Sequence, residues 1–252
     1  MLRAELLNKK EISEATEFYA VNAPYGLLYP KDEQWIRDHL GIDFFLVGVW
    51  LKGKLIGLRW VAKKPDFIYF SIENDCITLK NDGPYAEIGG ECIQESFRGK
   101  DLVQLLTATT ILFWPAVEKS IPLWSRITGQ KDFDGNPLFW NKFGEIVTGL
   151  SYKHLLKLPF GTMEGTIHSR WPLWPISLKE VPVDLVEKVF GKPSDALVKY
   201  QSRFLVWGYE ITNRYVPTSL NRFMRLTYCS VKEPIKFFRE SFSNALDKLN
   251  TF

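Results

Sequence analysis

A β-forming run, Tyr85–Ile93, passes through Glu95-Ser96-Phe97-Arg98-Gly99-Lys100-Asp101 into a long uncharged stretch, Leu102–Val117. A strand, an Arg-Gly turn and a helix in direct succession leave the chain few options. Such a turn aims the unpaired N–H groups of a helix start at one point, which is a ready site for phosphate. Leu102–Val117 is the longest uncharged run. It is too short to cross a bilayer and carries Gln104, three threonines and Pro115, so a buried helix is expected.

Strands and helices alternate around this junction. Leu2–Leu7 reads as a strand. Glu11–Asn22 reads as a helix from the spacing of Ile12, Ala15, Phe18 and Tyr19, broken by Asn22-Ala-Pro-Tyr-Gly. Lys31–Leu40 is a second helix, closed by Gly41. Phe44–Trp50 and Leu55–Ala62 flank a Gly-containing turn and predict a hairpin. Phe67–Ile72 and Cys76–Leu79 add short strands before the Asn81-Asp-Gly-Pro84 turn. Leu123–Thr128 is a strand, Gly129–Gly135 a loop, Asn136–Phe143 a helix stopped by Gly144, and Glu145–Leu156 a strand. This order predicts a mixed α/β (α+β) sheet flanked by helices.

The remaining sequence is less regular. Met163–Leu178 is rich in Trp and Pro. Asp184–Phe190 and Ser194–Val206 read as helices and Tyr209–Val216 as a strand. Pro234–Leu249 is amphipathic, with Ile235, Phe238, Phe242, Ala245, Leu246 and Leu249 on one stripe. Its polar face balances Lys236, Arg239 and Lys248 against Glu240 and Asp247. Docking onto the protein's own core is expected rather than onto a membrane surface. The expected organisation is a core at 1–158 with a C-terminal extension, 159–252, packed on it and completing an acceptor pocket.

Composition narrows the partners. A net charge of +3, with no stripe of Lys and Arg, argues against nucleic acid. Cys76, Cys92 and Cys229 are odd in number and contain no Cys-x-x-Cys pair, so neither a disulfide framework nor a zinc site is expected. The N-terminal residues mix charges early, with no signal-peptide core, and a cytoplasmic protein with reduced thiols is expected. His39, His154 and His168 are scattered and suggest no metal ligand set. His154 is read as a structural residue of the Glu145–Leu156 strand.

Four stretches resemble a known family. The Arg98 turn resembles the pyrophosphate-binding motif of the GNAT superfamily of acyl-CoA N-acyltransferases, Gln/Arg-x-x-Gly-x-Gly/Ala, although Asp101 and Val103 stand at its glycine positions. Gly129-x-x-Asp132-x-x-Gly135-x-x-x-Phe139-Trp140-x-x-x-Gly144 resembles the corresponding stretch of arginine N-succinyltransferases, which belong to that fold. Glu87 stands eleven residues before Arg98, as a glutamate does in the succinyltransferases. Ala196 to Tyr209, ending Phe204-Leu-Val-Trp-Gly208-Tyr209, resembles that family's second helix. The resemblance implies a twisted, mostly antiparallel sheet and transfer of an acyl group (acetyl, succinyl or longer) from acyl-CoA to a small amine or amino-acid-like acceptor. No metal is implied, and a homodimer is compatible with it.

The chemistry assigns candidates. An attacking amine must lose a proton, and a carboxylate can take it. Glu87 and Glu91, four apart on one strand, are expected to share a face, with Glu87 favoured by the resemblance. Gly89-Gly90 between them predicts a bulge or a close approach by a ligand, and the resemblance puts the thioester there. Arg98, Gly99, Lys100, Asp101 and Leu102 are the candidate CoA contacts. Asp101 either repels pyrophosphate or caps the helix. Asp132 is a candidate holder of a cationic acceptor or a loop cap. Trp140 stands where many GNAT enzymes carry a proton-donating Tyr. Two other readings fit the same residues: a non-catalytic GNAT-fold binding or scaffold protein, and a transferase using acyl-carrier protein or aminoacyl-tRNA as donor.

Overall fold

The computed structural model describes the chain except for residues 25–26, 119–120, 127–128, 195–197, 199–203, 227–232 and 251–252. In order, the elements are β1 (Leu2–Leu6), α1 (Ile12–Asn22), α2 (Glu33–His39), β2 (Phe44–Leu51), β3 (Lys54–Lys64), β4 (Ile68–Glu73), β5 (Cys76–Asn81), β6 (Tyr85–Ile93) and α3 (Leu102–Val117). There follow β7 (Leu123–Arg126), a π-helical turn (Trp140–Gly144), α4 (Glu145–Thr148), α5 (Tyr152–Leu155), α6 (Met163–Arg170) and β8 (Ile176–Ser177). The last are α7 (Val183–Val189), β9 (Tyr209–Tyr215), β10 (Arg222–Leu226) and α8 (Pro234–Asn250). The pairs β1–β2, β2–β3, β4–β5, β4–β9, β5–β8, β7–β10 and β9–β10 are antiparallel. The architecture is the expected mixed α/β one, a mostly antiparallel sheet flanked by helices.

Local chemistry sets these boundaries. Ahead of α1, the Asn8 side chain accepts from Lys10 N, and Glu11 returns a carboxylate to Asn8 N at 3.0 Å, a capping box. Asp32 caps α2 by accepting from Gln34 N at 2.9 Å. The β2–β3 hairpin turns through Lys52 and Gly53, both with positive φ, the geometry of a tight two-residue loop.

Two segments depart from expectation. Glu145–Leu156 forms α4 and α5, not a strand. Gly149, at φ +71°, ends the first helix, and Ser151 starts the second by accepting from His154 N. His154 is consequently exposed on a short helix. Arg222–Leu226 forms a strand that its two arginines concealed. The helix expected at Ser194–Val206 falls largely outside the described residues. No helix among the described residues is long and apolar enough to cross a membrane.

The chain divides into two compact units. The first comprises Met1–Lys63, Ala86–Pro122 and Tyr228–Phe252; the second comprises Lys64–Tyr85 and Leu123–Thr227. The boundary expected at residue 158 falls inside the second unit, and α8 belongs to the first. In the first unit the strands run β1-β2-β3-β6. Leu102, Leu105 and Leu106 of α3 pack with Val47, Val49 and Ile56 of the sheet and with Ala245 and Leu249 of α8. The hydroxyls of Thr107, Thr109 and Thr110, buried in α3, donate to carbonyls one turn back, so the helix hides them at little cost.

The second unit orders its strands β7-β10-β9-β4-β5-β8. One core gathers Phe70, Phe139, Trp171 and Leu185, and another gathers Phe67, Tyr69, Tyr85, Trp124, Val216 and Phe223. Glu164 of α6 is buried between Lys64, at 3.7 Å, and Arg126. Burial pushes its carboxyl up, but the two cations and the hydrogen bonds outweigh burial and hold it at about 2.

Candidate active site

In the first unit, β6 runs through Gly89-Gly90. A Cβ on Gly89 would lie 2.3 Å from the Trp60 ring, and one on Gly90, whose φ is +60°, would lie 2.1 Å from Trp60 Nε1. Two successive residues therefore face one indole, and the alternation of the strand fails between them as it does in a bulge. The bulge expected from sequence is present. Along the same strand Glu87 is buried and Glu91 only half-buried.

The close approach at the bulge comes from Trp60 of β3, whose Nε1 donates to Leu28 O at 2.8 Å. Tyr19 of α1 is the second neighbour, its hydroxyl oxygen 3.0 Å from where a Gly90 Cβ would stand. Tyr19 is buried, stacked on Tyr29 at 4.9 Å, and its hydroxyl has no hydrogen-bond partner among the described residues. Burial, followed by Cys92 and Glu91 and against the pull of Arg59, raises this phenol well above its usual range. It stays protonated and can only be offered as a neutral donor or acceptor. A buried group left unpaired costs about 1–3 kcal/mol, so its persistence calls for a role.

Glu91 pairs with Arg59, which is 2% exposed. Arg59 Nη1 also donates to Thr107 Oγ1 of α3 at 2.9 Å, while its Nε lacks a partner among the described residues. The Glu91 carboxylate is thus the counterion of a buried guanidinium. Glu87 is 3% exposed. Burial raises the Cys92 thiol to about 11, against a lowering by Arg98, so it is no thiolate nucleophile near neutral pH.

Beyond β6 the backbone makes one 3-10 turn, Glu95–Phe97, then passes through left-handed Gly99 (φ +78°) and Asp101 (φ +56°) into α3. This turn brings Arg98, Gly99, Lys100, Asp101 and Leu102 together. Asp101 does not cap the helix with its side chain; its Oδ2 lies 2.7 Å from Lys248 Nζ of α8. The charge expected to repel a phosphate is therefore neutralised from the far end of the sequence.

Asp132 and Trp140 lie in the second unit and serve its structure. Asp132 Oδ1 accepts from Asp134 N and Asn136 N, and Oδ2 accepts from Asn141 Nδ2 at 2.7 Å, so the carboxylate is spent on its own loop. Trp140 is fully buried and donates to Leu150 O at 2.7 Å. Sequence reasoning missed Tyr19, Arg59, Trp60 and Lys248. Only Arg59, an arginine inside an otherwise apolar strand, carried a visible signal.

No protein-family model matches the chain, and no curated protein matches it in sequence. Solved structures do match in fold, and the fold they share with this chain is that of the GNAT acyl-CoA N-acyltransferases. Arginine/ornithine succinyltransferase subunit AI from Pseudomonas aeruginosa superposes with a TM-score of 0.66 at 15% identity, over 95% of this chain and 79% of that one. An aminoglycoside N-acetyltransferase solved in complex with CoA gives a TM-score of 0.37 at 15% identity, over 50% and 76% of the two chains. An N-acetyltransferase from Staphylococcus aureus Mu50 gives 0.34 at 11% identity, over 50% and 70%. At such identities the likeness is one of fold.

Proposed function

We propose that the protein is an N-acyltransferase that moves an acyl group from acyl-CoA to a small amine by direct attack on the thioester. The observation that carries this reading is the sequence of a Gly89-Gly90 irregularity, a left-handed turn and the α3 start within one compact unit of the chain. The N–H groups from Gly99 to Leu102, with Arg98 and Lys100, would hold the pyrophosphate. The Lys248–Asp101 pair removes the main electrostatic objection to that assignment. Glu87, buried on β6 eleven residues before Arg98, is the candidate base. Tyr19, buried, protonated and unpartnered, is suited to donate to the oxygen of the thioester carbonyl as negative charge develops there. The raised Cys92 thiol favours direct transfer over a cysteinyl intermediate.

Calorimetry and thermal shift with CoA and acetyl-CoA test the reading. A ligand at one hundred times its Kd adds about 2.7 kcal/mol of stability. Absence of both heat and shift overturns it. Trp60, lying against the bulge where the thioester was expected, favours a second reading as a non-catalytic binding protein. CoA binding without turnover over a panel of amines decides for that second reading.

A further inference from the structure

The second unit holds a cation in an aromatic box. The guanidinium carbon of Arg214 sits 4.9 Å from the Phe67 ring centroid, 4.7 Å from Tyr69 and 4.8 Å from Trp124. The fourth side is Asp82, whose Oδ2 lies 2.5 Å from Arg214 Nη2 and also accepts from the Tyr69 hydroxyl at 3.0 Å. All three rings are buried, whereas the side chains of Arg214 and Asp82 are 31% and 40% exposed. The rings and the acid form the receptor, and the arginine is its lid.

The backbone is bent to place that lid. Tyr215 and Ile211 of β9 pair with Arg222 and Met224 of β10, so β9 carries two extra residues over this step. Thr212 secures the irregularity: its Oγ1 donates to Phe223 O at 2.8 Å and accepts from Arg214 N at 3.3 Å. A bulge of this kind re-aims a side chain. Three ring faces and one carboxylate around a planar cation are the chemistry by which proteins recognise guanidinium and alkylammonium groups.

We infer that this box is a binding site for a guanidinium or alkylammonium group, which Arg214 occupies in the free protein and an incoming cation displaces. The inference stands independently of the proposed acyl transfer.

Methylguanidinium and tetramethylammonium are titrated into the full chain by calorimetry, with urea as a neutral control of guanidinium shape. The wild type is expected to bind the cations saturably and urea not at all. Arg214→Ala removes the competitor, so affinity is expected to rise about tenfold if Arg214 fills the box about nine-tenths of the time. Asp82→Asn is expected to abolish cation binding in both backgrounds. Binding by Arg214→Ala alone, with none by the wild type, shows a structural arginine filling a hole and overturns the inference. So does a cooperatively folded Arg214→Ala that binds nothing. If Arg214→Ala does not fold, Arg214→Gln replaces it, and failure of wild type and Arg214→Gln alike to bind is equally decisive.

Discussion

Lys248 Nζ, near the end of α8, lies 2.7 Å from Asp101 Oδ2 at the start of α3. The helix terminus nearest the candidate phosphate turn therefore carries a neutralised carboxylate. Lys248→Ala is expected to weaken CoA binding about two- to tenfold, the worth of one charge at a helix end. Asp101→Asn in the same chain is expected to restore it. Calorimetry at low and high salt checks both, and an unchanged Kd in Lys248→Ala removes the pyrophosphate from this turn.

The two glutamates of β6 are expected to separate in their effects. Glu87→Gln should lower kcat about a hundredfold with little change in the KM of the donor, as loss of a base does. Glu91→Gln should act on stability, because it strips the counterion from a guanidinium that is 2% exposed. Because Glu91 is itself 29% exposed, the cost should be on the order of 1–3 kcal/mol. A cooperative melt for each variant beside its kinetics separates the roles. Loss of turnover in Glu91→Gln without loss of stability reverses the assignment.

Tyr19→Phe offers opposite signs for structure and function. Removing a buried hydroxyl that has no partner should raise stability by about 1 kcal/mol. If that hydroxyl meets the thioester oxygen, the same change should cut kcat about a hundredfold. Isotope-edited infrared spectra of bound acetyl-CoA provide a second readout, a carbonyl stretch that moves up in frequency when the donor is lost. Unchanged kcat and spectrum would leave Tyr19 a packing residue.

Glu164 governs behaviour in acid. Its carboxyl sits at about 2 in the folded protein against an ordinary 4.5, so the folded state binds fewer protons over that interval. The stabilisation is fully present above about 4.5 and is lost as pH falls toward 2, a contribution on the order of 3 kcal/mol. Glu164→Gln is expected to flatten the dependence of denaturation midpoint on pH in this window and to destabilise the protein at neutral pH by removing the buried carboxylate between Lys64 and Arg126. A parallel, merely shifted pH curve would place the acid sensitivity elsewhere.

What the sequence disclosed was local. β6 and α3 fall at the residues that periodicity assigned, because an apolar strand, a Gly turn and an uncharged helix are each set within a few neighbours. Gly89-Gly90 announced a bulge correctly, yet not that Trp60, distant in sequence, would lie on it. The spacing of Ile12, Ala15, Phe18 and Tyr19 agrees with α1 and the stop at Gly41 with α2, whereas Gly149 and Ser151 turned an apparent strand into two short helices. The Lys248–Asp101 and Arg59–Glu91–Thr107 contacts join residues remote in sequence, which spacing rules cannot see. Tyr19 was legible as a buried residue of an amphipathic helix; its empty hydroxyl was not.

The nested division of the chain has a consequence for its synthesis. The second unit is interrupted only by segment 86–122 and has all its residues by Thr227, whereas the first must wait for α8. While a ribosome is still making Pro234–Asn250, the apolar face of α3 formed by Leu102, Leu105 and Leu106 lacks Ala245 and Leu249. The part that begins first is thus finished last, and for that interval a nascent chain must keep an oily helix face from other chains. Slow translation after residue 227, or scarce chaperone capacity, should reduce soluble yield more than the same delay placed earlier.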